Sequence, residues 1–508
     1  MNVRPVSELM LYRYRYFFGY TLLGFIVAAV LLLNVNQLPP GLSNPEQASV
    51  IASNALQLTL APDNPLLGIW EFLRTSNTID LPFHLLQKVS LHFFGLSPLG
   101  VRLPSLLLAA ASAFALFQLL KRLFFANTAL IMGVIAVTSS WFLVIGRTGS
   151  PDIMPVFWTS LLLLLATLVS QEAKLAHLWK ALALLCVALS LYTPSMIYLY
   201  GSIFLASLTQ PHLRYLLRSH LGSLAAGTLL LTLFVVPLGF SIWHDPAIIA
   251  QLLAISNTIP DPLTFVQNGF DGLSRLANPV PEQRDFILTP LVSLPILALA
   301  IVGSVRLVRD WHSVRSHVLL TWIAVFIPVV GLGMSGSMAP LFIPFIVLAT
   351  IGMQNLIRYW YRLFPKNPYA RVFGLLPLAC LILSILQFNY QRYFYALPFG
   401  PQTTQTFDQD PFVLHQALSS KAYATQRVLL IVPENKLSLY RIEQTANSQL
   451  QLVPVIDFSS TNNATRVVVA ESEIGKLSDT QRSLLPQTQT SLLVNDRKEN
   501  GLRFRVFQ

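Results

Sequence analysis

Two acids, Glu46 and Asp152, have the residue types and the settings that chemistry beside a membrane would need. Glu46 closes Gly41-Leu42-Ser43-Asn44-Pro45-Glu46, and Asp152 closes Arg147-Thr148-Gly149-Ser150-Pro151-Asp152. In a 508-residue chain that is 54% hydrophobic and 11% charged, a carboxylate next to an apolar run needs a reason to be there. A low-dielectric wall on one side and water on the other would raise its pKa toward that of a working general base. The plainer readings stand beside this one. Glu46 at a helix start complements the macrodipole. Asp152 is a good N-cap, and Arg147 can reach headgroups. Alternatively, Arg147 and Asp152 pair across the turn, or bind a phosphate and a sugar hydroxyl. His84, Lys88 and His92 share one side of a second helical stretch, where they would line a phosphate site or face lipid headgroups.

The elements that must position these residues are membrane helices. About 20 apolar residues cross the hydrocarbon, and about eleven runs are candidates by that rule, from Phe17–Val35, Ser105–Leu120, Ala129–Ile145 and Ile153–Val169 to Ala339–Leu356 and Val372–Phe388. The connectors test the order. Lys121-Arg122, Lys174 with Lys180, Arg214 with Arg218, Arg306 with Arg309 and Arg315, and Arg358 with Arg362 fall in every second one, which puts those connectors and the N-terminus in the cytoplasm. The 36–104 loop, Asp152 and everything after Phe388 then lie outside. The formal charge of +11 follows from this topology rather than from a nucleic-acid surface. The first run is too long for a signal peptide and reads as an uncleaved anchor.

Within the 36–104 loop, Pro45 suits the first turn of a helix capped by Ser43 or Asn44, and Leu81 to Phe94 reads as a second interfacial helix. Past Asn389 the composition turns polar, with β-rich segments at Arg427–Val432, Gln451–Ile456, Arg466–Ala470, Ser491–Val494 and Leu502–Phe507 separated by helical stretches. The expectation is a polytopic α-helical domain over residues 1–388 and an external α/β domain over 389–508 with a partly parallel sheet. Cys186 and Cys380 lie in apolar runs and point to neither a disulfide framework nor a zinc site. Asp408-Gln409-Asp410 reads as surface loop, Asn463-Ala464-Thr465 matches a glycosylation sequon, and Glu282, Arg284 and Asp285 read as solvated.

The order of parts resembles the GT-C glycosyltransferases, in particular the bacterial branch related to protein O-mannosyltransferases and lipid A aminoarabinose transferases. The resemblance rests on one span, an acidic external loop, Leu81-Pro82, Gly95-Leu96-Ser97, Arg102-Leu103-Pro104-Ser105, and the Arg147 and Asp152 pair. It covers Phe17 to about Val169. It implies transfer of a sugar from a polyprenyl-phosphate donor to a lipid, glycan or protein acceptor on the external face, with inversion and with the leaving phosphate held by Arg or His. The family's Asp-Glu pair reads Pro45-Glu46 here, so the first acid is absent. By the resemblance, Glu46 and Asp152 are the catalytic acids and Arg102 and Arg147 contact the donor phosphate; His84 and Lys88 join the phosphate candidates through their shared side of the second helical stretch. No cofactor is implied, and a divalent cation stays open. A carrier for a lipid-linked sugar and an inactive membrane-anchored assembly protein are the alternatives.

Overall fold

The computed structural model describes residues 10–56, 78–171, 175–218, 221–255, 260–277, 290–332, 338–399, 407–419, 426–447, 449–455, 466–485, 489–495 and 500–507. The sequon and Glu282, Arg284 and Asp285 lie outside them. Helices α1 (Met10–Leu32), α2 (Asn44–Ala55), α3 (Leu81–Phe94), α4 (Pro98–Leu123), α5 (Ala126–Val137), α6 (Ser140–Arg147), α7 (Met154–Ser170), α8 (Ala176–Ser190) and α9 (Met196–Thr209) form the first half. The second half holds α10 (Pro211–Arg218), α11 (Leu221–His244), α12 (Ala247–Leu253), α13 (Pro262–Ala277), α14 (Leu294–Arg309), α15 (Val314–Gly331), α16 (Phe342–Leu363) and α17 (Pro368–Gln391). This is a multi-pass membrane protein. Among the described residues six helices are long and apolar enough to cross a bilayer, and up to seven if the bent pair α5 and α6 counts as one span. Each of the eleven runs read from sequence overlaps a helix among the described residues, but α1, α8 and α9 fall short as apolar helices and α14 has 16 residues. The count of eleven is therefore more than length and composition carry.

The break between α5 and α6 has a local cause that matters for the site. The Thr138 and Ser139 hydroxyls donate back to the carbonyls of Val134 and Ala136, offering the backbone a way out of the helix. Ser139 Oγ then accepts from the Phe142 N–H and starts a new helix, bent 58° from the first. That turn delivers Arg147 and residues 148–152 to one end of the bundle.

The two ends are chemically distinct. At one end the connector between α8 and α9 is tied to the segment before α3 and to α12: the Asp80 N–H donates to Tyr192 O (2.8 Å) and the Ser195 N–H to Leu252 O (2.8 Å). At the other, Arg122 donates to Gln171 (3.1 Å), Gln210 to His312 O (3.1 Å), and the guanidiniums of Arg315 and Arg358 lie over Phe124 and Phe125. Between the ends, α14 and α16 pack backbone to backbone at Gly303 and Gly352, where an added Cβ would enter the carbonyls of Leu348 and Leu299.

Beyond residue 407 the chain forms a five-stranded sheet of order β4-β3-β5-β7-β6, from β3 (Val428–Val432), β4 (Leu450–Pro454), β5 (Arg466–Ala470), β6 (Gln489–Asn495) and β7 (Asn500–Phe507). β3 runs parallel to β4 and β5, while β7 is antiparallel to β5 and β6. This unit is fastened to the membrane half beside Glu46. β1 (Leu42–Ser43) pairs antiparallel with β2 (Phe407–Asp408), and Leu42, Val50, Leu96 and Val101 share an apolar cluster with Leu439 and Ile442. Asp408 and Asp410 both reach Lys436, at 2.6 and 3.5 Å, so this pair belongs to an ion cluster inside the unit rather than to a solvated loop.

Candidate active site

Glu46 comes first because its position decides what it can do. Ser43 caps α2, and Glu46 closes a capping box: Oε2 accepts from the Ser43 N–H (2.8 Å) and Ser43 Oγ (3.0 Å). Its other oxygen, Oε1, accepts from Arg102 Nε (3.2 Å) and from the Gly149 N–H (2.8 Å). Both members of the ion pair are 0% exposed. A carboxylate with both oxygens engaged and no solvent access has no lone pair to offer a substrate. The geometry departs from the catalytic role expected of Glu46 and makes it the joint between α2, α4 and the 148–152 turn.

The arginines depart from expectation for a similar reason. Arg102 donates to Val35 O (3.0 Å) and Gly41 O (2.6 Å) and lies 5.4 Å from the Phe412 ring centre. Arg147 donates to the carbonyls of Val30 (2.9 Å), Leu33 and Leu38, with its guanidinium over Tyr393 and Phe394. Each satisfies carbonyls left open where α1 ends and the chain becomes irregular. Fully buried and committed to backbone, they are staples of the 30–41 segment rather than groups presented to a phosphate.

On α3 the apolar side faces out and His84 turns inward, while His92 is exposed. Leu85, Leu86, Val89 and Phe93 are exposed, a face that suits lipid, while His84, Gln87 and Ser90 are buried against protein. His84 Nδ1 is 3.0 Å from Ser53 Oγ. Gln87 accepts from Ser49 and Ser53 and donates to Val101 O and Gly149 O. Burial pulls the His84 imidazole down to about 4, so it is neutral at pH 7 and offers a phosphate no charge. Lys88 is half-buried, with burial lowering its ammonium from the ordinary value. Because the folded His84 is harder to protonate than the unfolded, its contribution is full above about 6.5 and is lost as pH falls toward about 4. Melting temperature against pH in His84→Gln should lack the part of the acid-side decline that His84 supplies.

The acid that sequence reading passed over is Asp80. It is 8% exposed and precedes α3 in a left-handed conformation, φ 51°, uncommon outside glycine and a form of strain that gathers at functional sites. Its carboxyl lies within electrostatic reach of Asp152 and is hydrogen-bonded to Thr193. Trp158 Nε1 donates to Thr193 Oγ1 (3.2 Å), which leaves the Thr193 hydrogen to point at Asp80. Burial first, and the Asp152 charge second, push the Asp80 carboxyl well above the usual carboxylate range. Asp80 Oδ1 and Thr78 Oγ1 are buried without a hydrogen-bond partner among the described residues. Asp152 is half-buried, with Oδ2 accepting from Ser150 Oγ (2.7 Å). Three loops therefore meet here: 78–80, 148–153 and 191–195. Two acids from separate loops share one place, one buried so that its protonated form is favoured and the other half-buried, the pattern that separates acid and base roles. A signal for Asp80 did exist, an isolated acid directly before Leu81-Pro82 at the mouth of an apolar stretch.

Gly149 links the framework to this pair. A Cβ there would sit 2.6 Å from Val101 O, so no side chain fits while the Gly149 N–H still reaches Glu46. Gly149→Ala should displace the 148–152 turn and destabilise the protein by about 1–3 kcal/mol, read as a lowered melting temperature in detergent. Among the described residues no three His, Cys, Asp or Glu side chains gather as a metal site.

The broken span, the helices around the loop-built acid pair and the C-terminal sheet form an architecture similar to that of the GT-C membrane glycosyltransferases. The sequence model of dolichyl-phosphate-mannose-protein mannosyltransferases matches residues 82–240. The structure is similar to ArnT from Cupriavidus metallidurans bound to undecaprenyl phosphate, with a TM-score of 0.53 and 13% identity over 97% of both chains. It is similar to the apo state of that protein, at 0.52 and 13%, over 97% of this chain and 98% of the other. The oligosaccharyltransferase of Archaeoglobus fulgidus tethered to an acceptor peptide gives 0.50 at 11% identity, over 92% of this chain and 70% of its own. Comparison with curated protein sequences gives no match.

Proposed function

We propose that this protein transfers a glycosyl group from a polyprenyl-phosphate donor to an acceptor nucleophile, and that the transfer occurs where Asp80 and Asp152 meet. The observation that carries the reading is the pairing of those acids from separate loops, one of them buried and strained with an unpartnered oxygen. In this scheme Asp152, the more accessible, takes the proton from the acceptor as that atom attacks the anomeric carbon. The bond to the phosphate oxygen breaks on the opposite side, so configuration inverts in one displacement. Asp80 remains protonated and donates a hydrogen bond to substrate, positioned by Thr193. Lys88 is the remaining basic candidate for the leaving phosphate. Neither Glu46 nor Arg102 touches substrate in this reading; they hold the turn that carries Asp152.

The polyprenyl tail has a matching surface. An apolar groove of about 530 Å³ runs between α1 and α4, lined by Leu23, Val27, Leu103, Leu107 and Phe114, and its upper end lies one residue from Arg102. A lipid-linked donor would enter from the bilayer through it, with the reacting phosphate at the polar end. The topology that sets this site on the external face of a bacterial plasma membrane is part of the proposal and rests on the alternating basic connectors.

The experiment uses purified protein with polyprenyl-phosphate mannose as donor probe and membrane extract as acceptor, following release of polyprenyl phosphate. Release by the wild type and none by an Asp80→Asn/Asp152→Asn double variant that still binds undecaprenyl phosphate is the expected result. Equal release by both would end the assignment of the acids. Binding by both with release by neither would leave a lipid-binding protein without turnover of this donor.

A further inference from the structure

The other end of the bundle holds a second cavity, of about 490 Å³, that the glycosyl-transfer reading does not use. It lies between the start of α5 and the last three turns of α16, and its lining includes Phe125, Thr128, Gln354, Arg358 and Arg362. Arg358 and Arg362 are four residues apart and share a helix face. Arg315, at the start of α15, lies within electrostatic reach of Arg358. The acid within reach of Arg315 is Asp310, which is already paired to Arg306 at 2.9 Å. At the floor, Thr128 is buried and Gln354 Oε1 is a buried acceptor with no hydrogen-bond partner among the described residues.

A preference for basic connectors accounts for arginines here, but not for a cavity with an orphaned acceptor at its base. We propose that this pocket binds the headgroup of an anionic phospholipid, with Arg358 and Arg362 on the phosphodiester and Gln354 Oε1 accepting from a headgroup hydroxyl. The rim argues for lipid over a soluble phosphate. Phe125 and Tyr361 of its lining are exposed, at 59 and 40%, where acyl chains would lie against them. Phe125 also faces the Arg358 guanidinium at 4.9 Å, which keeps that cation at the mouth. The source of the ligand is then the bilayer itself, and the bound lipid joins α4, α5 and α16 at the end remote from the acids.

The test measures binding of short-chain phosphatidylglycerol, phosphatidic acid, phosphatidylcholine and soluble glycerol phosphate to the full-length protein in detergent. Phosphatidylglycerol should bind most tightly. Arg358→Ala/Arg362→Ala should weaken it about 30-fold, at roughly tenfold or less per arginine near a membrane surface. Arg358→Lys/Arg362→Lys should recover part of that loss, which a merely misfolded variant would not. Gln354→Leu should weaken phosphatidylglycerol while leaving phosphatidic acid, which lacks the hydroxyl, unchanged. Phosphatidylcholine binding as tightly as phosphatidylglycerol, glycerol phosphate matching it, no recovery by the lysines, or equal loss of both lipids in Gln354→Leu would each overturn the assignment. The acids at the far end are untouched throughout, so failure here leaves the transfer proposal standing.

Discussion

Asp152→Asn is expected to lower glycosyl transfer by about 10²–10⁴-fold, the range for loss of a positioned general base, with donor binding retained. Asn keeps the size of the side chain and can still accept from Ser150, but it cannot take a proton from the acceptor. Asp80→Asn should also lose transfer, and its stability supplies a sign that separates chemistry from misfolding. The folded Asp80 holds its proton to higher pH than the unfolded chain does. Its stabilising contribution is therefore full below about 3.9 and is lost as pH rises through the folded value. Asn carries no such loss. Asp80→Asn should thus be inactive yet at least as stable as the wild type at pH 7, and its melting temperature should change less with pH. An inactive variant that melts well below the wild type at neutral pH would mean that Asp80 is structural.

Glu46 and Arg102 should show the opposite pattern. Removing either member of a fully buried ion pair strands the other in a low-dielectric setting, at about 3–5 kcal/mol. Glu46→Gln leaves the Arg102 guanidinium without a counter-charge. Arg102→Ala leaves the carboxylate with the Ser43 and Gly149 donors only and opens the carbonyls of Val35 and Gly41. The double variant Glu46→Gln/Arg102→Met should cost less than the sum of the singles, because it removes both charges together. Thermal unfolding in detergent across this cycle checks the claim. Activity should fall with the folded fraction in each, and rise again in Glu46→Gln once the protein is stabilised by bound lipid. A stable, fully folded Glu46→Gln with no transfer would return Glu46 to a catalytic role.

Much of the architecture is legible from the sequence because bilayer physics leaves few solutions. Apolar runs must be helices, since every backbone donor has to be satisfied within the run. The helices at Asn44 and Leu81 announce themselves through Pro45 and Pro82, and β5 through the β-branched run Val467 to Val469. The Ser43 to Glu46 spacing is itself a capping box, a structural signature that competes with any catalytic reading of Glu46. What spacing along the chain does not carry is which polar groups meet. Glu46 and Asp152, both conspicuous, are held by different residues of the same turn, Glu46 by the Gly149 N–H and Asp152 by the Ser150 hydroxyl.

By itself, then, the sequence determined that the chain carries membrane-spanning helices, the helices that start at Asn44 and Leu81, the β-rich C-terminal part and the presence of an acid at position 152. Those follow from local composition and from the energetics of placing backbone and charge in hydrocarbon. Only the tertiary structure decided the partners. Asp80 and Asp152 are brought together by a hydrogen bond from residue 80 to residue 192 and by the 58° bend between α5 and α6, neither of which has a periodicity to betray it. The same folding buried Arg102 and Arg147 against carbonyls distant in sequence. A side chain's chemistry depends on what is left of its hydrogen-bonding capacity after such contacts are made, and that remainder is a property of the packed protein.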